Sequence, residues 1–434
     1  MRYHHGSVLW NPTVDQLFEG HNQCTHILAL FYQFKPGMRL LTSLVKEGLY
    51  DKLTLFHGHE GEYGSPKIAP AHVAEVDMIK HKQLFHPHVL ILLFEGFMRV
   101  WIGSSNMLTE HFDNSESREA AYVEDFPRFH PRLKPPRQTN TAFGCELEQL
   151  LGVICGIPLK SKSIVGDPRA QLKLVKDLLL DYDMTTNARL IVGMSGVGNK
   201  PLNQPRQNLY NLTSPFKERG RYLVISNIYL AESIEKPTFH EFLRQFADNA
   251  NCQKVLIGAA NDDEAKDMCC IGKINRGLTL ERKGESLGQL SVRPYLMEVK
   301  YKGKDKEERV KFVHGKMYVC FDTNGNELWA IIGGANFSCS AWGNDWPIKF
   351  YKNAADRAIQ TSQPNNLEVS VFLSNETDNR LRDILRVQPY FSIDSHEYNR
   401  GLGWTLTLEG LASICEKENR KRKICDIVDL TDDT

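Results

Sequence analysis

A hairpin that occurs twice constrains this chain more than any other feature of its sequence. The second copy, residues 314–336, has two apolar, strand-forming runs separated by Asn324-Gly325, a dipeptide typical of tight hairpin turns. The first copy, residues 86–106, has the same layout. The opening histidine and the closing asparagine are 22 positions apart in the second copy and 20 in the first. Because one copy lies in each half of the chain, we predict two similar halves.

The polar side chains of the two copies suit a phosphate group. His314 and Lys316 are two positions apart, so they point to the same face of their strand. A histidine can act as a nucleophile or carry a proton, and an ammonium group or a side-chain amide can hold phosphoryl oxygens. With the glutamate that begins a further strand in each half, the candidate residues are His86, His88, Asn106, Glu119, His314, Lys316, Asn336 and Glu368.

Paired histidine motifs of this kind, each followed by Gly-[Ser/Gly]-x-Asn, resemble those of the phospholipase D superfamily, whose two halves meet in one site. The superfamily usually has an aspartate five residues after the lysine, but Phe321 and Leu93 stand at those positions here. The missing aspartates point to the tyrosyl-DNA phosphodiesterase family, which acts on DNA 3′ ends. Segments 52–58, 183–193 and 338–343 are also similar to that family.

The resemblance covers nearly the whole chain and implies its architecture. We expect an α/β fold of two similar lobes, each a mixed sheet flanked by helices, related by pseudo-twofold symmetry around one shared site. A polar stretch rich in glycine, proline and asparagine places the boundary near Asn199. The predicted units are a first lobe at 1–198, a second lobe at 199–412 and a tail at 413–434.

The resemblance also implies a division of labour between the two histidines. His86 is expected to attack phosphorus as the nucleophile, and His314 to protonate the leaving group and then activate water. The reaction needs no metal and no cofactor in that family. Lys316, Asn106 and Asn336 are expected to bind the non-bridging oxygens.

Other roles follow from the same resemblance and from the repeat. Glu119 and Glu368 are expected to orient the two histidines by accepting a ring N–H. Ser226 and Asn227 lie where the family has serines near the DNA backbone, and a turn is the alternative for them.

One position departs from the family. The first motif is expected to read His-x-Lys, but this chain has His88 in place of the lysine. An unperturbed histidine titrates near ~6.5, so it supplies a positive charge over a narrower pH range than lysine does. If His88 takes over the lysine's role, it must be protonated or present an N–H toward the phosphate.

Three other functions remain open on the sequence. His86 and His88 alternate on a strand and could ligate zinc, although no nearby cluster supplies a third ligand. The missing lysine favours a binding protein that holds DNA ends without cleaving them. Phospholipid cleavage fits the superfamily, but the missing aspartates oppose it.

The composition of the chain limits which partners and which cellular compartments are expected. The formal net charge is zero, so contact with single-stranded or duplex DNA ends requires a local basic patch. The proline-rich segment 126–140 is one candidate, with a solvated connection as the alternative. No apolar run is long enough to span a membrane. The ten cysteines lack Cys-x-x-Cys spacing, which indicates reduced residues of a cytosolic or nuclear protein.

The tail carries two adjacent signals. The run 417–423 is basic and indicates either nuclear import or simple solubilisation, and we predict a nuclear location. Ile427, Val428 and Leu430, flanked by acidic residues, resemble a SUMO-interacting motif, which adds a strand to the edge of a partner's sheet. A frayed terminus is the alternative.

Overall fold

The structure is a computed structural model of the chain. It describes residues 6–10, 13, 16, 24–34, 49–60, 72–77, 84–106, 117–129, 141–161, 164–193, 205–220, 222–226, 242, 245–252, 254–259, 294–302, 307–308, 312–313, 315–322, 326–343, 366–375, 381, 394–399 and 402–406.

The first half folds into a seven-stranded sheet. Strands up to residue 127 are β1 (Ser7–Trp10), β2 (Cys24–Phe34), β3 (Leu53–Glu60), β4 (His72–Glu75), β5 (Leu84–Phe85), β6 (His88–Phe94), β7 (Phe97–Gly103), β8 (Ser117–Arg118) and β9 (Ala120–Pro127). The order in the sheet is β1-β9-β7-β6-β2-β3-β4. Strands β2, β3 and β4 run parallel, and the remaining pairings are antiparallel.

The second half builds a larger sheet on the same plan. The strands after residue 188 are β10 (Arg189–Gly193), β11 (Tyr222–Ser226), β12 (Lys254–Ala259), β13 (Pro294–Lys302), β14 (Glu307–Glu308), β15 (Phe312–Val313), β16 (Lys316–Phe321), β17 (Glu327–Gly333), β18 (Asn366–Ser374), β19 (Asp394–Asn399) and β20 (Leu402–Leu406). Their order is β10-β18-β17-β16-β11-β12-β13-β19-β20. The first seven strands of this order repeat the first sheet strand for strand, which confirms the predicted two-lobed α/β fold.

Helices pack against both sheets. The α-helices among the described residues are α1 (Ala142–Gly156), α2 (Pro168–Leu178), α3 (Pro205–Thr213) and the short α4 (Cys339–Trp342). Thr141 caps α1, because its side-chain oxygen accepts from Gly144 N, and Asp167 caps α2 in the same way through Ala170 N. Within the described part of the chain, no helix is long and apolar enough to cross a membrane.

The two sheets share one apolar core. Every residue of β6 is buried, and its side chains alternate between two apolar clusters. Val89 and Ile91 lie in the cluster that also contains Val319 of β16 and Val369 of β18. The strands that carry the two histidine motifs therefore pack against a common core, as strands buried on both faces do.

Two short parallel pairings join the lobes. Strand β5, just before His86, pairs with the start of β18, and β15 pairs with β8. The registers correspond: Leu84 and Phe85 face Asn366 and Leu367, whereas Phe312 and Val313 face Ser117 and Arg118. The residue that precedes each histidine in the sequence therefore pairs with the residue that precedes the glutamate of the other half.

Some sequence predictions fall outside the described residues. The Asn324-Gly325 turn, the 199 boundary and the 413–434 tail are among them. Strand β10 lies within the predicted first lobe, yet it pairs with β18 in the second sheet. The division into 1–198 and 199–412 stays a prediction.

Candidate active site

His86 is held at the junction of the lobes by its backbone and by its ring. Its backbone N–H donates to the carbonyl oxygen of Leu367 at 3.0 Å, which continues the β5–β18 pairing by one residue. Its ring nitrogen Nδ1 lies 2.9 Å from Oε2 of Glu368, and both side chains are buried. Because a carboxylate accepts at this contact, Nδ1 carries the proton, and Nε2 keeps its lone pair when the ring is neutral.

Glu368 is held from a second side as well. Its Oε1 accepts a hydrogen bond from Nδ2 of Asn366 at 2.9 Å. Both residues lie on the same face of β18, since they are two positions apart. The carboxylate therefore accepts one hydrogen bond on each oxygen, and its plane is fixed relative to His86.

Lys316 opens β16 and reaches into the first lobe. Its Nζ donates to the carbonyl oxygen of Ser104 at 3.3 Å, and the side chain is fully buried. Burial lowers the pKa of Lys316 to about 8, although the negative charges of Glu119 and Glu368 act in the opposite direction. An ammonium group whose hydration is already lost is well suited to bind an anion.

The two asparagines close the hairpins at the same junction. Asn106 is buried, and its Oδ1 accepts from the backbone N–H of Gln33 at 3.3 Å. The amide nitrogen of Asn106 is therefore its donor end. Asn336 is partly exposed, and among the described residues its buried Oδ1 has no hydrogen-bond partner.

Glu119 lies in the first half at the place that Glu368 takes in the second. Ser104 Oγ donates to Glu119 Oε2 at 2.5 Å and also accepts from the backbone N–H of Ala120 at 3.0 Å. The loop backbones correspond too: Ser104 N donates to Ala120 O, and Gly334 N donates to Val369 O, each at 2.9 Å.

His88 lies next to His86, with 4.7 Å between the ring centroids. Its side chain is fully buried, and its Nδ1 lies 2.7 Å from the carbonyl oxygen of Ser105. A Cβ added to Gly334 would be only 2.7 Å from Cδ2 of His88. His88 is thus anchored within its own lobe, whereas Lys316 crosses to the opposite one, because an imidazole is shorter than a lysine side chain.

Several other predicted residues lie outside the described residues or are described by their backbone alone. Residue 314 lies outside the described residues, as do Asn227 and the three apolar tail residues Ile427, Val428 and Leu430. Ser226 ends β11, where its backbone pairs with Met317 and Gly258, and its side chain is not described. In the candidate basic segment, Arg128 is exposed and donates to Asp181 at 2.9 Å.

Three neighbours of the histidines and glutamates were missed from the sequence. Tyr32, at the end of β2, has its ring centroid 4.8 Å from that of His86, and burial raises its pKa. Asn366 and Ser104 supply the donors to the two glutamates. Ser104 stands inside the Gly-[Ser/Gly]-x-Asn motif of the first copy, which was the available signal. Tyr32 carries none, because its contact depends on how β2 pairs with β6.

Comparison with known proteins finds the same family that the sequence motifs resemble. A model of the tyrosyl-DNA phosphodiesterase family matches residues 268–401, which include Lys316, Asn336 and Glu368. Among solved structures, yeast tyrosyl-DNA phosphodiesterase is similar to this chain at a TM-score of 0.55 and 10% identity, covering 93% of this chain and 99% of that one. No curated protein matches the sequence significantly.

Two variants of the same yeast protein are similar to a comparable degree. The one with a histidine replaced by asparagine has a TM-score of 0.56 and 10% identity, with 92% of this chain and 100% of that chain covered. The one with a histidine replaced by arginine has a TM-score of 0.56 and 11% identity, with 93% and 99% covered.

The repeated strand order, with His86, Glu368 and Lys316 at the lobe junction, defines a two-lobed mixed α/β fold with one site between its halves. The tyrosyl-DNA phosphodiesterase family, which the sequence motifs resemble, is also the family whose model matches part of this chain. The chain matches the tyrosyl-DNA phosphodiesterase family model over 268–401 and has the fold of the yeast tyrosyl-DNA phosphodiesterase over more than nine-tenths of its length.

Proposed function

We propose that this chain is a phosphodiesterase that removes tyrosyl and similar adducts from DNA 3′ ends during DNA repair. The observation that carries the proposal is the buried His86–Glu368 pair, with Nδ1 and Oε2 2.9 Å apart, in a site that also holds Lys316. The family model and the fold of the yeast tyrosyl-DNA phosphodiesterase support the choice of substrate.

The first chemical step is attack by His86. Its Nε2 lone pair forms a bond to phosphorus while the bond from phosphorus to the tyrosine oxygen breaks. His314 gives its proton to that oxygen, which leaves as a neutral phenol. A phenol has a solution pKa near ~10, so protonation in step with bond breaking makes it a good leaving group. The product is a phosphohistidine that links the DNA 3′ end to His86.

Water completes the reaction. His314, now neutral, accepts a proton from water as the water oxygen attacks phosphorus. The bond from phosphorus to Nε2 breaks, its electron pair returns to His86, and a DNA 3′-phosphate leaves. Both histidines then have their starting protonation states.

Lys316, Asn106 and Asn336 stabilise the negative charge on the non-bridging oxygens. Lys316 is protonated below about pH 8, and its positive charge then attracts the negatively charged phosphoryl oxygens. The Oδ1 of Asn106 accepts from Gln33 N, so the amide nitrogen is the end that donates to a phosphoryl oxygen.

The strand register supports a matching partner for the second histidine. Val313 faces Arg118 as Phe85 faces Leu367, and the next residue along each glutamate strand is Glu119 or Glu368. We therefore assign Glu119 to His314 by the same logic that pairs Glu368 with His86. The donor that Ser104 gives to Glu119 supports this assignment.

Reaction without a metal is part of the proposal. The phosphoryl charge is met by Lys316 and by side-chain amides, and the nucleophile is a neutral imidazole. In the described ranges, no group of three or more His, Cys, Asp or Glu side chains is arranged to hold a metal ion.

An assay on a 3′-phosphotyrosyl oligonucleotide in excess chelator tests the proposal. We expect cleavage to a 3′-phosphate in EDTA, with no change on adding zinc, and no cleavage by the matched variant His86→Ala. Activity lost to the chelator and restored by zinc would instead support the metal enzyme that uses His86 and His88.

A binding protein derived from this family is the second candidate, because His88 stands where the lysine is expected. It predicts tight binding of DNA 3′ ends by the intact chain without release of tyrosine in the same assay. Measured turnover with the intact chain would reject it.

We further propose that the tail directs the protein to the nucleus and binds SUMO or sumoylated proteins. Alanine at Ile427, Val428 and Leu430 should remove SUMO binding in isothermal titration while cleavage of a short oligonucleotide stays unchanged. Equal SUMO binding by this variant and the intact chain would reject the motif. Loss of nuclear fluorescence on replacing the basic run 417–423 with alanine tests the import signal.

A further inference from the structure

The carboxylate that orients His86 is held at both of its oxygens. Oε2 of Glu368 accepts from His86 Nδ1, and Oε1 accepts from Asn366 Nδ2, each at 2.9 Å. Asn366 is 7% exposed and Glu368 1%. With so little access for bulk water, the Asn366 amide is the donor that decides how the second oxygen is oriented.

The other glutamate of the site obtains its donor from a different element. Ser104, in the loop after β7, donates to Glu119. The corresponding position in the second half is Gly334, which has no side chain. A Cβ there would lie 2.7 Å from Cδ2 of His88, so a serine does not fit beside that ring.

We infer that Asn366 is a positioning residue for the nucleophile, supplying to Glu368 the hydrogen bond that Ser104 supplies to Glu119. The inference rests on the proposed function, because it gives Asn366 a role in the attack by His86. Asn366 acts through Glu368 and does not contact the reacting atoms.

The chemistry of the amide explains the role. Its nitrogen only donates, so it favours the ionised carboxylate, which accepts at both oxygens. The reverse orientation of the amide would set two acceptor oxygens against each other with no proton between them. A carboxylate fixed in this way keeps the proton of His86 on Nδ1, and the Nε2 lone pair remains available for phosphorus.

Two substitutions remove the donor in different ways. Asn366→Ala removes it at every pH, and we expect kcat for cleavage of the 3′-phosphotyrosyl oligonucleotide to fall by about tenfold to a hundredfold with KM unchanged. Asn366→Asp supplies a donor only while the two adjacent carboxyl groups share one proton, which like charges in contact favour. Its rate relative to the intact chain should be highest at acidic pH and fall as the pH rises.

The cleavage rate of an Asn366 variant divided by that of the intact chain at the same pH isolates the effect of Asn366. Among the described residues, the other titratable groups near Glu368 are His86, His88, Lys316 and Glu119. They and His314 are present in every variant, so their contributions to the pH dependence cancel to first order. Recovery of Asn366→Asp at acidic pH also separates loss of orientation from misfolding, since a misfolded variant has no such recovery.

Asn375→Asp is the matched control. Asn375 directly follows the same strand, and its Nδ2 donates to the backbone carbonyl of Glu327 at 3.0 Å. The substitution adds a carboxyl group at the far end of β18, and its pH–rate profile should follow that of the intact chain. A flat ratio for Asn366→Asp, or a full rate for Asn366→Ala, would overturn the inference.

Failure of the proposed function is recognisable separately, because the intact chain would then leave the oligonucleotide uncleaved. In that case the ring protons of His86, assigned by comparison with His86→Gln in long-range ¹H–¹⁵N spectra, still test the role. A single Nδ1–H form that is lost in Asn366→Ala supports it, and unchanged His86 signals contradict it.

Discussion

The two copies of the hairpin share a backbone plan and differ in the side chain that follows the histidine by two positions. Lys316 crosses the lobe junction to the carbonyl oxygen of Ser104, whereas His88 remains on the carbonyl oxygen of Ser105 in its own lobe. The second half therefore supplies an ammonium group that is charged below about pH 8. The first half supplies a ring that is charged only when protonated, so we expect the two copies to contribute unequally to binding an anion.

The largest expected effect is the difference in cleavage rate between a variant of His86 and a variant of His88. His86→Ala should lower the cleavage rate by about 10⁴-fold or more, because it removes the nucleophile. His88→Ala should lower it by only about tenfold, the loss of one hydrogen-bonding group. Single-turnover rates with both variants measure the difference, with circular dichroism to confirm folding. An equal loss in both would mean that His88 also takes part directly in the chemistry.

The next effect concerns Lys316. Lys316→Met should lower kcat/KM by about 10²- to 10³-fold, the typical cost of removing one group that stabilises the transition state. The pKa of Lys316 is lowered to about 8, and only its protonated form binds an anion, so kcat/KM of the intact chain should fall as the pH rises above about 8. The pH–rate profile of Lys316→Met should lack that decline. A decline that persists in the variant belongs to another group.

His88→Lys makes the first copy resemble the second. A lysine stays charged through the neutral range, so the variant should gain activity at alkaline pH by about tenfold to a hundredfold, and its pH profile should broaden. Kinetics from pH 5 to 9 on the intact chain and the variant provide the measurement. An unchanged profile, or complete loss of activity, would show that His88 does not stand in for the lysine.

The smallest effect concerns the glycine that His88 packs against. Gly334→Ala places a Cβ 2.7 Å from Cδ2 of His88 in a buried site, and we expect the free energy of unfolding to fall by about 1–3 kcal/mol. Gly96→Ala is the control, because a Cβ at that turn meets nothing within 4 Å. Chemical denaturation of both variants gives the comparison. Equal stability of the two would mean that the loop moves to accommodate the new methyl group.

Much of the fold was predictable because it follows from local patterns. The apolar runs that follow His86 and Lys316 became β6 and β16, and the repeat correctly indicated two lobes. A strand's period and its turn residues are properties of neighbouring positions, so one sequence is enough to reveal them.

The partners within the site were not predictable in the same way. Glu368 was expected to orient a histidine, but its pairing with His86 depends on the contact between β5 and β18. His86 and Glu368 are 282 positions apart in the sequence. Tyr32 reaches His86 only because β2 pairs with β6. Asn366, by contrast, lies two positions from Glu368 on β18, so that contact is local and its importance depends on where Glu368 lies. The anchoring of His88 on Ser105 likewise depends on the tertiary path of the loop after β7.

Trapping the covalent intermediate tests the central claim, that His86 is the nucleophile, most directly. His314→Asn removes the group that activates water, so incubation with a 3′-phosphotyrosyl oligonucleotide should leave DNA attached to the protein on a denaturing gel. Peptide mapping under mildly alkaline conditions, where phosphohistidine survives, should place the added mass on the peptide that contains His86, and the double variant with His86→Ala should form no adduct. An adduct on any other residue, or one that persists in the double variant, would contradict the account.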